Sequence, residues 1–196
     1  MRNRLILIFI LSSQFLVCQK TLKKYATAYF GSGCFWCVET IFESVKGVAY
    51  AESGYSGGQI KNPTYEQICT GNTGHAETVK VVYNPVVVSY DDLLRVFFNS
   101  HDPSILNQQG PDKGTQYRSV ILYCSEEEKE KSKAYIKNLI TNKRFKSITT
   151  ECVAFEKFYK AEEYHQNFEK MNPSNSYIVN VSHPRFKAFK KKQANN

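Results

Sequence analysis

Apolar positions along the chain switch between a period of 2 and a period of 3.6, and the switches predict alternating strands and helices. Residues 25–30 read as a strand that Gly31-Ser32-Gly33 breaks. Phe35, Val38, Ile41, Phe42 and Val45 then share one face of a helix. Residues 48–52 read as a second strand, followed by the turn-like Gly54-Tyr55-Ser56-Gly57-Gly58 and the loop residues Asn62-Pro63. In residues 76–83, Val79, Val81 and Tyr83 alternate against Thr78 and Lys80, the mark of a strand. Ser89 caps a helix carrying Leu93, Leu94, Phe97 and Phe98. A strand over residues 119–123 leads to Ser125-Glu126-Glu127-Glu128, a capping box whose acidic residues suit the positive end of a helix reaching about Ile140. Residues 150–155 form one more strand, and mixed loop and short helix follow. Strands and helices alternating with hairpin-like gaps predict a mixed α/β sandwich rather than an all-parallel sheet.

The chain has 196 residues, enough for one good core, so residues 25–186 read as a single catalytic domain and residues 187–196 as a basic tail. Residues 1–18 stand apart: Arg2 and Arg4 precede the apolar run from Leu5 to Leu11, the pattern of a signal peptide. That run is shorter than the ~20 residues a bilayer span needs, so the expected destination is outside the cytoplasm. The alternatives are a lipid anchor through Cys18, against which the bulky Leu16 and Val17 argue, or a cytoplasmic protein that keeps the segment. The net charge of +8 changes little in this picture, since Lys187, Lys190, Lys191 and Lys192 crowd the tail and read as a solvated end. No basic stripe with interleaved aromatics suggests nucleic-acid binding.

Six cysteines are present, and loss of Cys18 with a leader would leave five: Cys34, Cys37, Cys69, Cys124 and Cys152. An odd number argues against a purely structural disulfide frame. Cys34 follows a glycine-rich turn at the predicted start of a helix, where unpaired N–H groups and the helix dipole favour thiolate, so it is the expected nucleophile with a lowered pKa. Cys37 lies one turn on, roughly 5 Å away if both residues are helical, within disulfide reach. Half of a zinc site is a competing reading, but no second Cys pair or His pair at the usual spacing accompanies it. Burial of both thiols as small hydrophobes is another, which the glycine turn argues against. Glu77 shares its predicted strand face with Val79, Val81 and Tyr83, so desolvation should raise its pKa and make it a general acid, unless it stays in water at the strand end. His75 reads as a loop histidine.

At these residues the chain resembles the type A peptide methionine sulfoxide reductases, over about residues 25–172. The resemblance rests on Gly33-Cys34-Phe35-Trp36 with Glu39, Gly54-Tyr55-Ser56-Gly57-Gly58, Asn62-Pro63-Thr64-Tyr65, Thr73-Gly74-His75-Ala76-Glu77, Asn99-Ser100-His101-Asp102-Pro103, and the run from Asp112 through Tyr117 to Ser119. It implies a ferredoxin-like α/β sandwich that reduces the S epimer of methionine sulfoxide, free or in oxidised proteins, with electrons from thioredoxin or another dithiol and no bound cofactor. It also implies that Cys34 attacks, Phe35 and Trp36 wall the methyl group, and Glu77 protonates the sulfoxide oxygen. Tyr65 and Tyr117 bond that oxygen, and Asp112 helps to build the pocket. A thiolate cannot displace an oxide dianion, so an acid is needed on chemical grounds as well.

Many family members carry a resolving cysteine in the C-terminal segment, whereas residues 172–196 contain none. Cys37 is the first choice for that role, Cys152 the second and Cys69 the third, and direct reduction of a Cys34 sulfenic acid is a further route. The chain reads as a monomer without a metal. A thioredoxin-like disulfide oxidoreductase is the nearest other enzyme, though it leaves Glu77 and the Asp112 block unexplained. A basic binding module would rest on the lysine tail alone.

Overall fold

Strand β1 (Ala26–Ser32) lies in the middle of a six-stranded sheet, antiparallel to β3 (Ala76–Tyr83) on one side and to β6 (Ser119–Tyr123) on the other. The computed structural model describes residues 25–194; the predicted leader and Cys18 lie outside them. Strand β2 (Val48–Ser56) pairs with the far side of β3, and the edges are β7 (Glu151–Ala154), parallel to β6, and β8 (Phe158–Lys160), antiparallel to β2. The spatial order is β7-β6-β1-β3-β2-β8. Helix α1 (Phe35–Glu43) connects β1 to β2, and α3 (Tyr90–Ser100) lies between β3 and β6. Each connection skips a strand, which gives the split β-α-β-β-α-β arrangement expected of a ferredoxin-like sandwich.

One face of the sheet carries the main core. Phe30 stacks on Phe42 at 5.1 Å and packs against Phe97 at 5.3 Å, joining β1 to α1 and α3. Val79, Val81, Leu93, Leu94 and Phe98 are buried around them, each side chain removed from water being worth about 1.5–3 kcal/mol. Helix α4 (Glu126–Thr141) adds Leu139 and the Tyr135 ring, which stacks on Phe98 at 5.2 Å. The opposite face holds a smaller cluster of Ala76, Val120 and Leu122, with Tyr29 stacked on Phe155 at 4.0 Å.

Two expectations change. The turn predicted at Gly54-Tyr55-Ser56 is strand, because β8 closes on it: a Cβ on Gly54 would lie 2.3 Å from Phe158 Cζ and 2.4 Å from the Tyr159 carbonyl oxygen. Only glycine admits that approach, so the glycine marks a crowded strand rather than a bend. The tail lysines are exposed as expected, but over its described part the tail is a packed helix rather than a free end. Helix α6 (His183–Ala194) packs on α3, burying Phe189 to 2% exposure in the main core, while Lys192 Nζ donates to the Asn99 carbonyl at 3.2 Å. The lysines share a helix with core-facing aromatics at helical spacing, a pattern the charge run concealed.

A π-helical turn, Ile178–Ser182, leads into α6. Pro184 explains it: proline lacks the N–H of an α-helical bond and its ring crowds the carbonyl four residues earlier, which the wider π turn relieves. Among the described residues no helix is long and apolar enough to cross a membrane.

Candidate active site

Strand β1 hands over to α1 through Gly33, whose φ of +85° suits glycine and whose N–H donates to the Tyr117 carbonyl at 3.1 Å. Cys34 is the N-cap residue of α1, with φ −54° and ψ 124°, and its side chain makes no capping bond to the helix backbone. Glu77, near the start of β3, fills the helix end instead: the Phe35 N–H donates to its Oε2 at 2.9 Å. The Glu77 carboxyl group and the Cys34 thiol are therefore held at the same helix N-terminus.

Glu77 is 2% exposed, and burial pushes its carboxyl up to about 8 against the pull of the Phe35 hydrogen bond, with the nearby Asp112 charge adding to the rise. The helix dipole and one N–H favour the anion by only ~1–2 kcal/mol, less than the desolvation cost of a fully buried carboxylate. Glu77 is thus protonated near neutral pH, as its strand face foretold.

The thiols differ from expectation. Cys34 is 6% exposed and Cys37 1% exposed, so the glycine turn does not keep them in water. Burial raises the Cys34 thiol well above its usual range, and its hydrogen bond with Cys37 and the nearby Glu77 add to this. The predicted low pKa falls on Cys37 instead, where the Cys34 hydrogen bond, the largest influence, together with Arg185, Ser182 and Tyr177 outweighs its own burial. Of the two thiols, Cys37 is therefore the one that ionises more readily. What buries them is the chain that returns over α1 after residue 171: the Cys37 thiol donates to the Tyr177 hydroxyl oxygen across 4.0 Å, and Tyr177 donates to Asp112 Oδ2 at 2.6 Å. Arg185 is anchored beside them, Nε on the Ser100 carbonyl at 2.9 Å and Nη2 on the Ser32 carbonyl at 2.8 Å.

The aromatic wall is built from both ends of the chain. Trp36 lies flat on Phe168 of α5 (Phe168–Met171) at 3.7 Å, and its Nε1 donates to His165 Nδ1 at 3.1 Å. Phe35 and Tyr65 close on the same histidine at 4.9 and 4.4 Å between ring centres. Glu39, buried on α1, accepts from the Ser53 hydroxyl and from the Asn167 N–H, which fixes the chain just before Phe168.

Tyr65 opens the short helix α2 (Tyr65–Cys69), where its N–H donates to Glu162 Oε1 at 2.9 Å. Tyr117 lies in the 3-10 turn before β6. Burial, and next the Glu77 charge, raises both phenols, so they stay protonated donors. Asp112 lies on the two-stranded hairpin of β4 (Gln108–Gln109) and β5 (Asp112–Lys113), and burial raises its carboxyl. These residues surround one locus with Cys34, Phe35, Trp36 and Glu77.

The other thiols separate. Cys69 is exposed but hydrogen-bonds the Tyr65 side chain and feels Glu77, whereas Cys152 on β7 lies toward Ser132 of α4. His75 is buried in a loop brace, with Nδ1 accepting from the Gly58 N–H at 3.0 Å and Nε2 meeting the Ile60 carbonyl at 2.8 Å. Among the described residues no group of three His, Cys, Asp or Glu side chains is placed to hold a metal ion. Sequence reasoning missed His165, Phe168, Tyr177 and Arg185, all from the irregular C-terminal third, where no periodicity singles out a residue.

Comparison with known proteins agrees with this geometry. Residues 26–196 match the family described as peptide methionine sulfoxide reductase. The peptide methionine sulfoxide reductase MsrA of Natronomonas pharaonis is 48% identical over 166 residues, covering 84% of this chain and 93% of that protein. Among solved structures, reduced Mxr1 of Saccharomyces cerevisiae is similar with a TM-score of 0.72 and 34% identity, over 80% of this chain and 92% of that one. Mxr1 in complex with Trx2 is similar with a TM-score of 0.52 and 26% identity, over 74% and 90%. The chain belongs to the type A peptide methionine sulfoxide reductases and is an oxidoreductase that reduces methionine sulfoxide.

Proposed function

We propose that the chain reduces the S epimer of methionine sulfoxide, free or in oxidised proteins, through Cys34, with Glu77 as acid and Cys37 as resolving thiol. The observation that carries this is the Glu77 carboxyl, buried and held at the same helix N-terminus as Cys34, where burial favours its protonated form. As Cys34 attacks the sulfoxide sulfur, its proton passes to Cys37 through their hydrogen bond. Glu77 protonates the sulfoxide oxygen as the Cys34–sulfur bond forms; the hydroxyl then passes from the methionine sulfur to the Cys34 sulfur as the first S–O bond and the new S–S bond break, so methionine leaves and Cys34 becomes a sulfenic acid. Tyr65 and Tyr117 donate to that oxygen, while Phe35 and Trp36 receive the methyl group and Asp112 completes the pocket wall. Cys37 then condenses with the sulfenic acid, and a thioredoxin-type dithiol reduces the disulfide, a donor supported by the complex formed by Mxr1 with Trx2.

The test is turnover of each sulfoxide epimer with dithiothreitol and with thioredoxin, for wild type, Cys34→Ser and Cys37→Ser. The expected result is consumption of the S epimer only, no activity for Cys34→Ser, and Cys37→Ser active with dithiothreitol but not with thioredoxin. Reaction of neither epimer with wild type refutes the assignment. Export is proposed on the leader pattern of residues 1–18, and N-terminal sequencing of protein from fractionated cells checks it.

A further inference from the structure

Cys37 ends the first half-reaction holding a proton that it must lose before it can attack, and its side chain is only 1% exposed beneath the C-terminal segment. The Cys37 thiol points its hydrogen bond at the Tyr177 hydroxyl oxygen across 4.0 Å, and the Tyr177 proton is committed to Asp112 Oδ2 at 2.6 Å. Sulfur, phenol and carboxylate thus form a directed chain in which each donor faces the next acceptor.

We propose that Tyr177 and Asp112 are a proton relay for Cys37, a proposal that rests on the assignment of Cys37 as the resolving thiol. In the step, the Cys37 proton moves to the Tyr177 oxygen while the Tyr177 proton moves to Asp112. The Cys37 sulfur displaces hydroxide from the Cys34 sulfenic acid, the S–S bond forms as the S–O bond breaks, and the hydroxide leaves as water with a proton from Glu77, reprotonated from solvent. Asp112 afterwards returns its proton to solvent, so protons balance over the step. The two electrons that reduce the sulfenic sulfur come from the Cys37 thiolate.

The surroundings suit this direction. The groups facing Cys37 are Cys34 at the helix N-cap, Glu77 from β3, Tyr177 and Ser182 around the π turn, and Arg185 from α6, with Asp112 from β5 behind Tyr177. Arg185 and the Ser182 hydroxyl favour the thiolate, and burial makes the Asp112 carboxyl a better base than an exposed aspartate. Trp36 meets the Tyr177 ring edge-on at 5.8 Å, which fixes the ring without using its hydroxyl.

The experiment is a single turnover of reduced enzyme with free L-methionine S-sulfoxide and no reductant, quenched over time between pH 6 and 9. Methionine is counted by chromatography, disulfide by thiol titration, and sulfenic acid by dimedone trapping and mass spectrometry. Wild type should form disulfide as fast as methionine. In Tyr177→Phe, which keeps the ring, disulfide formed per methionine at early times should fall at least tenfold, with a dimedone adduct on Cys34. The slow step should steepen with pH as hydroxide replaces the relay, and Asp112→Asn should show the same accumulation. Disulfide formation by Tyr177→Phe at the wild-type rate, or a slowed rate with the wild-type pH profile, overturns the relay. Cys37→Ser separates the layers: accumulated sulfenic acid upholds the resolving thiol whatever Tyr177→Phe does, whereas a disulfide through another cysteine refutes that assignment itself.

Discussion

Replacement of Glu77 by glutamine should make the protein more stable while removing the proposed acid, and the gain should depend on pH. The unfolded chain ionises this carboxyl near 4.5, whereas burial in the native state holds it up to about 8. Between those values the unfolded state loses a proton that the native state keeps, so wild-type stability falls as pH rises and the full cost is present above about pH 8. The separation corresponds to about 5 kcal/mol above pH 8, about 3 kcal/mol at pH 7 and almost nothing at pH 4. Glu77→Gln keeps an oxygen for the Phe35 N–H, so its difference from wild type should trace that curve above a constant offset.

Urea unfolding of both proteins in reductant at pH 4, 7 and 9 reads this directly. A slope of about 2 kcal/mol per molar turns the pH 7 difference into a midpoint higher by about 1.5 M. Turnover should fall by about 10²–10⁴ in the same variant, the usual worth of a general acid. A stability difference that stays flat within about 1 kcal/mol from pH 4 to 9 would show that Glu77 ionises normally in the native state, and the acid assignment would lose its physical basis.

Other perturbations test the frame around this carboxyl. Phe189→Ala should cost about 3–5 kcal/mol, because the ring is buried between α6 and the main core; removal of residues 187–196 should cost at least as much and reduce turnover, as melting curves and activity would show. Gly54→Ala should lower stability by about 1–3 kcal/mol and release β8, since its Cβ meets the Tyr159 backbone at 2.4 Å; faster amide exchange at Lys160 would report the release. Trp36→Phe keeps the stack on Phe168 but leaves His165 Nδ1 without its donor. Its kcat/KM should fall about tenfold, the cost of a buried unpaired group, and unchanged kinetics would exclude a role for that bond in shaping the wall.

The parts legible in the sequence are those set by neighbours along the chain. Alternation in residues 76–83 located β3 and the buried face of Glu77, and Ser89 with Asp92 forms the capping box that starts α3. Cys34 before a helix was visible from the glycine turn, and six spaced motifs carried the family. Hidden features depend on contacts between distant segments. Ser125 caps α4, yet Glu128 reaches past it to the Cys124 N–H at 2.6 Å. The pKa order of the two thiols could not be read locally, because a helix N-terminus favours thiolate only where water or a donor compensates burial. The cover that decides it comes from residues some 140 positions away.

That cover changes how the missing C-terminal cysteine is understood. Residues 172–196 hold no cysteine, yet that segment returns over Cys37. It supplies Tyr177, Ser182 and Arg185, a phenol, a hydroxyl and a guanidinium that lower the pKa of a thiol supplied by α1. The proposed resolving sulfur, Cys37, lies one helical turn from Cys34, so under that proposal no loop needs to travel for the disulfide to close. The same position buries the thiol, which raises the cost of its anion, and the C-terminal segment offsets that cost. The π turn forced near Pro184 thereby gains a consequence, because it sets Tyr177 and Ser182 against α1 and leads directly to Arg185. A variant that straightens this helix, Pro184→Ala, should raise the Cys37 pKa and slow disulfide closure while leaving the sheet intact. Thiolate absorbance at 240 nm followed against pH would show the shift, and an unchanged titration would mean that the turn is only an accommodation of proline.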